Sequence, residues 1–214
     1  KTHPEIEGYD IKGYSLPAHS IGGDYFDFIR RDDQHLAICL GDVVGKGITA
    51  AMVMSNMQAT IRGQARPDSS PAACLTLANT LLYHSTSANK FATLFYGQLH
   101  VHSHEFYYAN AGHNRPMLFP STGEVVELQT AGLPLSVIEH ETFQEDHIAI
   151  QRGDVLVIFS DGITEAMTRD DHEFGEERLR NVIQKHIQDS AQDIIQAIIA
   201  AINDFVGDAK QTDD

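Results

Sequence analysis

Four acidic positions in this chain share one local setting: each falls where an apolar run ends or a glycine-rich turn begins. Asp24 follows Gly22 and Gly23 in "IGGDYFD", and Asp42 closes "HLAICLGD" ahead of Gly45 and Gly47. Asp161 follows "DVLVIFS" and precedes Gly162, while Asp213 and Asp214 form a pair in "KQTDD". Any one of them serves equally as a turn residue or helix cap, because an Asp carboxylate bonds its local backbone. As a set, carboxylates without clustered cysteine and without an HxxxH or HExxH pair are donors for a hard divalent cation. They suit magnesium or manganese and disfavour zinc or copper. The case is strongest at Asp161. A charge at the mouth of a continuous apolar run needs an opposing charge, and no Lys or Arg lies within seven residues on either side.

Competing chemistries fit less well. The twelve histidines are scattered and read mostly as exposed strand or helix positions. "GDVVGK" has one residue too few between its glycines for a phosphate-binding P-loop, and Gly47 stands where a magnesium-holding Ser or Thr would be. "GKGITA" matches a weak dinucleotide fingerprint, yet a second helical segment follows where a parallel strand is required. Neither Cys39 nor Cys74 is followed six residues later by the Arg of a cysteine-phosphatase loop.

The elements that must position these groups are legible from periodicity. Alternation in "GYDIKGYSLPA" (8–18) and "DYFDFIRR" (24–31), then the run "HLAICLGD" (35–42), predicts three early strands, the third buried on both faces. Helical spacing follows over 47–63, with Ile48, Met52, Ser55, Met57 and Ala59 on a closely packing face. A second helix begins at Ser70-Pro71 and carries Cys74, Leu77, Ala78, Leu81 and Leu82. Between 91 and 159 six short β-rich pieces read as an antiparallel meander, and the last of them, leading to Asp161, is expected to be a central strand. Two further helices close the chain, the last capped by Ser190 and stopped at Gly207. Strands, two helices, strands, two helices is an order that excludes βαβ units and predicts two packed sheets with helical pairs outside.

Composition narrows the partners. With 214 residues and 42% hydrophobic content the chain is expected to form one globular domain over 1–214. Fifteen basic against 30 acidic side chains give a net charge of −15, which argues against nucleic acid and direct membrane contact. Two isolated cysteines read as core residues in a reducing compartment, and no apolar run reaches a membrane span, so a cytoplasmic location is expected. The chain opens on Lys1 and reads as the output piece of a longer regulatory protein.

In order and over nearly the whole chain, "GGDYFDF", "GDVVGKGITAAMVMS", "NAGHNRPMLF", "AGLPLSV" and "GDVLVIFSDGITEAM…FGEERL" resemble the SpoIIE/RsbU branch of the metal-dependent protein phosphatase (PPM) superfamily. The resemblance implies an α+β fold, a four-layer α-β-β-α sandwich with two central, mainly antiparallel sheets flanked by helical pairs. It implies two divalent cations, Mn²⁺ or Mg²⁺. Asp42 would bridge them with the Val43 carbonyl as a further ligand, Asp24 would complete the second site, and Asp161 and Asp213 would hold the first. Asp24, Asp42 and Asp161 would be the catalytic set, with Asp27, Lys46, His113 and Glu165 in supporting roles. The implied activity is hydrolysis of a phosphoserine by a metal-activated water in a bacterial signalling pathway. The implied substrate is a phosphorylated STAS-type anti-sigma-factor antagonist, under an upstream sensor or receiver domain of the parent chain, and a homodimer is compatible with it. Two positions depart from eukaryotic relatives: Val44 stands where they carry a His, and no Arg precedes Asp24. The alternative they leave is a catalytically weak or inactive partner-binding switch with the same fold.

Overall fold

The computed structural model describes residues 3–17, 22–87, 89–209 and 211. Its larger sheet is antiparallel and five-stranded, with β1 (Tyr25–Arg30), β2 (His35–Val43), β3 (Ala92–His100), β4 (Glu105–Ala111) and β7 (Glu145–Ala149) in the order β1-β2-β3-β4-β7. The smaller sheet holds β5 (Met117–Phe119), β6 (Val126–Glu127) and β8 (Val155–Val157) in the order β6-β5-β8, again antiparallel. Alternation along β2 and β3 divides the core. Ala37, Cys39, Val43, Leu94 and Tyr96 pack beneath α1 (Ile48–Gln64) and α2 (Pro71–Ser85). Leu36, Phe95 and Leu99 join Phe106 and Tyr108 of β4 and Leu118 of β5 between the two sheets. Beyond the smaller sheet, Met117, Phe119 and Phe159 pack with α4 (Gly175–Lys185) and α5 (Ala191–Val206), preceded by the single turn α3 (Asp161–Thr164). This is the α+β, four-layer arrangement expected from the order of elements.

Helix ends fall where the caps put them. The Ser70 hydroxyl accepts from the Ala73 N–H with Pro71 in the first turn, the Ser190 hydroxyl accepts from the Asp193 N–H, and α5 stops at Gly207. Three expectations about packing need correction. No strand forms over the described part of 8–18. That segment is held instead by the Ile6–Tyr9 bridge, by His3 Nε2 on the Gly13 carbonyl, and by Gly13 lying against the rings of Phe26 and Phe28.

On α1 the buried positions are Ala50, Met57 and Ile61, whereas Ile48 and Met52 are each 70% exposed. On α2, Cys74, Ala78 and Leu82 are buried, but Leu77 and Leu81 are not. Apolar residues surround both helices, so residue type does not fix which face turns inward; contact with the sheet does. Lastly, β8 is half-buried and, among the described residues, pairs only with β5, which makes it an edge strand. Its apolar side chains face a cavity of about 1290 Å³ that also takes in Phe26, Phe28 and Ile38 of the larger sheet and Ile198 of α5.

Candidate metal centre

β2 carries Asp42 and Val43 as its last two residues, and the turn beyond curls against Gly23. A Cβ on Gly23 would stand 2.9 Å from Asp42 Oδ1, 3.0 Å from the Val43 carbonyl oxygen and 3.6 Å from the Gly45 carbonyl oxygen. The missing side chain therefore lets three oxygens of this turn crowd the backbone that presents Asp24. Gly45 has φ 99°, which a β-carbon disfavours. Lys90 secures the same turn: its ammonium donates to the Val44 carbonyl at 3.2 Å and lies 2.7 Å from where a Gly45 Cβ would be.

The second junction involves the other sheet. Asp24 Oδ2 accepts from the Ser160 hydroxyl at 2.8 Å across 136 residues of sequence. Ser160 immediately precedes Asp161, the first residue of α3. Asp24 thus stands between Asp42, through Gly23, and Asp161, through Ser160. Both Asp24 and Asp161 are half-buried, as is Asp42. Among the described residues no three His, Cys, Asp or Glu side chains converge at common ligand distance, and Asp213 and Asp214 lie outside the described residues. The donors that do converge, carboxylate and carbonyl oxygens, are those a hard cation prefers. These donors fit a hard divalent cation.

The supporting residues separate into distinct surroundings. Asp27, 2% exposed, accepts from Arg62 Nε at 2.6 Å and Nη2 at 2.8 Å, from the Tyr25 hydroxyl at 3.0 Å and from the Phe28 N–H at 3.1 Å. It ties β1, and so the approach to Asp24, to α1. Lys46 and Glu165 are exposed. Both thiols are buried, Cys39 donating to the Tyr25 hydroxyl at 3.6 Å, and burial pushes the Cys74 thiol up to about 12. Neither thiol is placed as a nucleophile, since only the thiolate attacks.

His113 is buried beside the candidate centre. Burial lowers its pKa from 6.5 to about 4, with the Phe159 carbonyl offsetting part of the shift. The unfolded ring takes up a proton below about 6.5 and the folded ring only below about 4, so unfolding binds a proton across that window. Stability is expected to fall as pH drops from 6.5 towards 4, by up to roughly 3 kcal/mol from this residue. Urea unfolding at stepped pH checks it: His113→Phe should flatten that part of the slope, and an unchanged slope would contradict the assignment.

Three residues of this neighbourhood escaped the sequence reading. Ser160 had a signal, a polar residue at the end of an apolar run directly before Asp161. Lys90 and Arg62 had none, because their partners lie 46 and 35 residues away and only the folded chain joins them.

Comparison with known proteins bears on the fold and the family. The sequence profile of the family described as Stage II sporulation protein E (SpoIIE) matches residues 32–214. Phosphoserine phosphatase RsbU of Bacillus subtilis (strain 168) is 30% identical over 196 residues, which covers 91% of this chain and 58% of RsbU. The chain thus spans little more than half of that relative. Among solved structures, the SiaA-PP2C domain of Pseudomonas aeruginosa superposes with a TM-score of 0.80 at 18% identity, covering 92% of this chain and 78% of that one. The PP2C phosphatase domain of SpoIIE from Bacillus subtilis, with a fragment of its regulatory domain, gives 0.76 at 16% identity, covering 92% and 57%. At these identities the structures speak for the fold, and the profile match over most of the chain speaks for descent: the chain belongs to the SpoIIE family.

Proposed function

We propose that this chain is the output module of a bacterial signalling protein and acts as a Mn²⁺- or Mg²⁺-dependent serine/threonine protein phosphatase on a phosphorylated STAS-domain protein. The observation that carries the reading is the position of Asp24, hydrogen-bonded to Ser160 beside Asp161 while its neighbour Gly23 lies against the oxygens of Asp42 and Val43. The segments that carry Asp24, Asp42 and Asp161 thereby lie side by side. RsbU, named a phosphoserine phosphatase, supports the reaction class. The acidic balance argues against nucleic-acid substrates. Among the described residues no helix is long and apolar enough to cross a membrane, and the proposed location is cytoplasmic.

Two divalent cations, when bound, supply an activated water and charge stabilisation for the phosphoryl group. The chain's own residues have the task of holding them. Asp42 and the Val43 carbonyl face the same space, and Asp213 is assigned to it by resemblance. The Ser160 hydroxyl orients the Asp24 carboxylate as outer-shell partners do. Lys90 fixes the carbonyl directions of the Asp42 turn through Val44.

The test is phosphate release from a serine-phosphorylated STAS protein. The folded chain with manganese should release it, and a chelator should stop the release. Absence of release by folded, manganese-supplied protein would contradict the proposal, and preferential hydrolysis of nucleotides would reassign the substrate.

A further inference from the structure

The motif "NAGHN" places one buried imidazole where both sheets meet, and its surroundings go beyond what core packing needs. Asn110 grips the His113 backbone from both sides: the His113 N–H donates to Asn110 Oδ1 at 2.7 Å, and Asn110 Nδ2 donates to the His113 carbonyl at 2.9 Å. The ring is thereby aimed. Its Nδ1 lies 2.8 Å from Thr93 Oγ1, and Thr93 is the residue of β3 directly opposite Asp42. On its other side Nε2 is buried and makes no hydrogen bond, and the backbone carbonyl of Phe159, two residues before Asp161, is near enough to the ring to favour its protonation. The Phe159 carbonyl is an acceptor, which places the ring proton on Nε2 and makes Thr93 the donor to Nδ1.

A buried N–H left short of its acceptor costs free energy, and an apolar ring of the same size would carry no such cost. We propose that His113 is a positioning residue of the metal centre: an Nε2–H imidazole set between Thr93 and Phe159 that fixes the strand bearing Asp42 against the segment delivering Asp161. The inference rests on the metal-centre reading above and adds a residue that touches neither cation nor substrate. It assigns the open Nε2–H a role, since the bond to Phe159 completes when the segment carrying Ser160 and Asp161 is drawn toward Asp24 and Asp42.

Calorimetric titration of manganese into the full chain tests this without an activity assay. His113→Phe should keep the ring volume and weaken manganese binding by about 10- to 100-fold, the usual range for outer-shell partners. His113→Gln, whose amide N–H reaches toward Phe159, should recover most of that loss. Thr93→Val provides a milder probe should the ring variants fold poorly, and should weaken binding several-fold. Nitrogen-15 spectra of the wild type should show the Nε2–H tautomer, with that proton becoming slower to exchange on addition of magnesium. Wild-type affinity in both His113→Phe and Thr93→Val would overturn the proposal, as would a Gln variant no better than Phe. With Asp42→Asn as control, loss of binding there and none at His113 would sink this inference alone, whereas a wild type that binds no manganese would sink the metal reading with it.

Discussion

Asp42→Asn is expected to remove manganese binding and phosphate release together while leaving the fold intact. Asn keeps the size of the side chain, so the close approach of Gly23 to this turn survives. What disappears is the negative charge at the end of β2. As the residue that the resemblance assigns to both cations, Asp42 should cost more than the 10- to 100-fold typical of outer-shell partners, hence a loss of affinity above about 100-fold. The metal-free variant should melt at or above the wild-type temperature, since it carries one charge fewer beside the segments that bear Asp24 and Asp161. Calorimetry, phosphate release and thermal melting on one preparation check all three. Retained manganese affinity would contradict the assigned role of Asp42, and a collapse in melting temperature would make Asp42 architectural. A partner-binding switch without turnover predicts no change in any of the three.

A large loss of stability at neutral pH is expected on substitution of Arg62. Asp27 is almost wholly buried and pairs with this guanidinium in a two-point contact that also raises the Arg62 pKa. Breaking a buried pair from one side costs about 3–5 kcal/mol because the remaining charge stays buried. The Arg62 side chain is 51% exposed, so water screens part of that interaction and about 2–3 kcal/mol is the expected loss for Arg62→Leu. Adding Asp27→Asn should restore part of it: Asn bears no charge and its Oδ1 still accepts from Tyr25 or Phe28. Urea unfolding of the two single variants and the double variant measures the coupling. A loss below about 0.5 kcal/mol for Arg62→Leu, or strict additivity in the double variant, would contradict the account of this contact.

How far the sequence reached depended on whether the signal was local. Helix limits were legible because they rest on single residues: Ser70 with Pro71 at the start of α2, Ser190 and Gly207 at the ends of α5. The strand-end grammar of Asp24, Asp42 and Asp161 was legible for the same reason, and the folded chain brings Asp24 next to the segments holding the other two. Facing was not legible. Ile48 and Met52 look like core residues in a helix that is apolar all round, yet the sheet contacts Met57 and Ile61 instead. Nor was strand neighbourhood: "DVLVIFS" reads as central, but a half-buried edge strand beside a large cavity satisfies the same composition. Segment 8–18 alternates as a strand does, and ring contacts at Gly13 hold its described part without a ladder. Ser160, Lys90 and Arg62 matter through partners that only tertiary structure supplies.

The most direct test is an anomalous-difference map from crystals of this chain soaked in manganese. The account predicts two peaks roughly 3.5–4 Å apart, each in contact with oxygens of Asp24, Asp42, Val43 or Asp161. Manganese bound elsewhere, or no peak there with those three residues ordered, would contradict it.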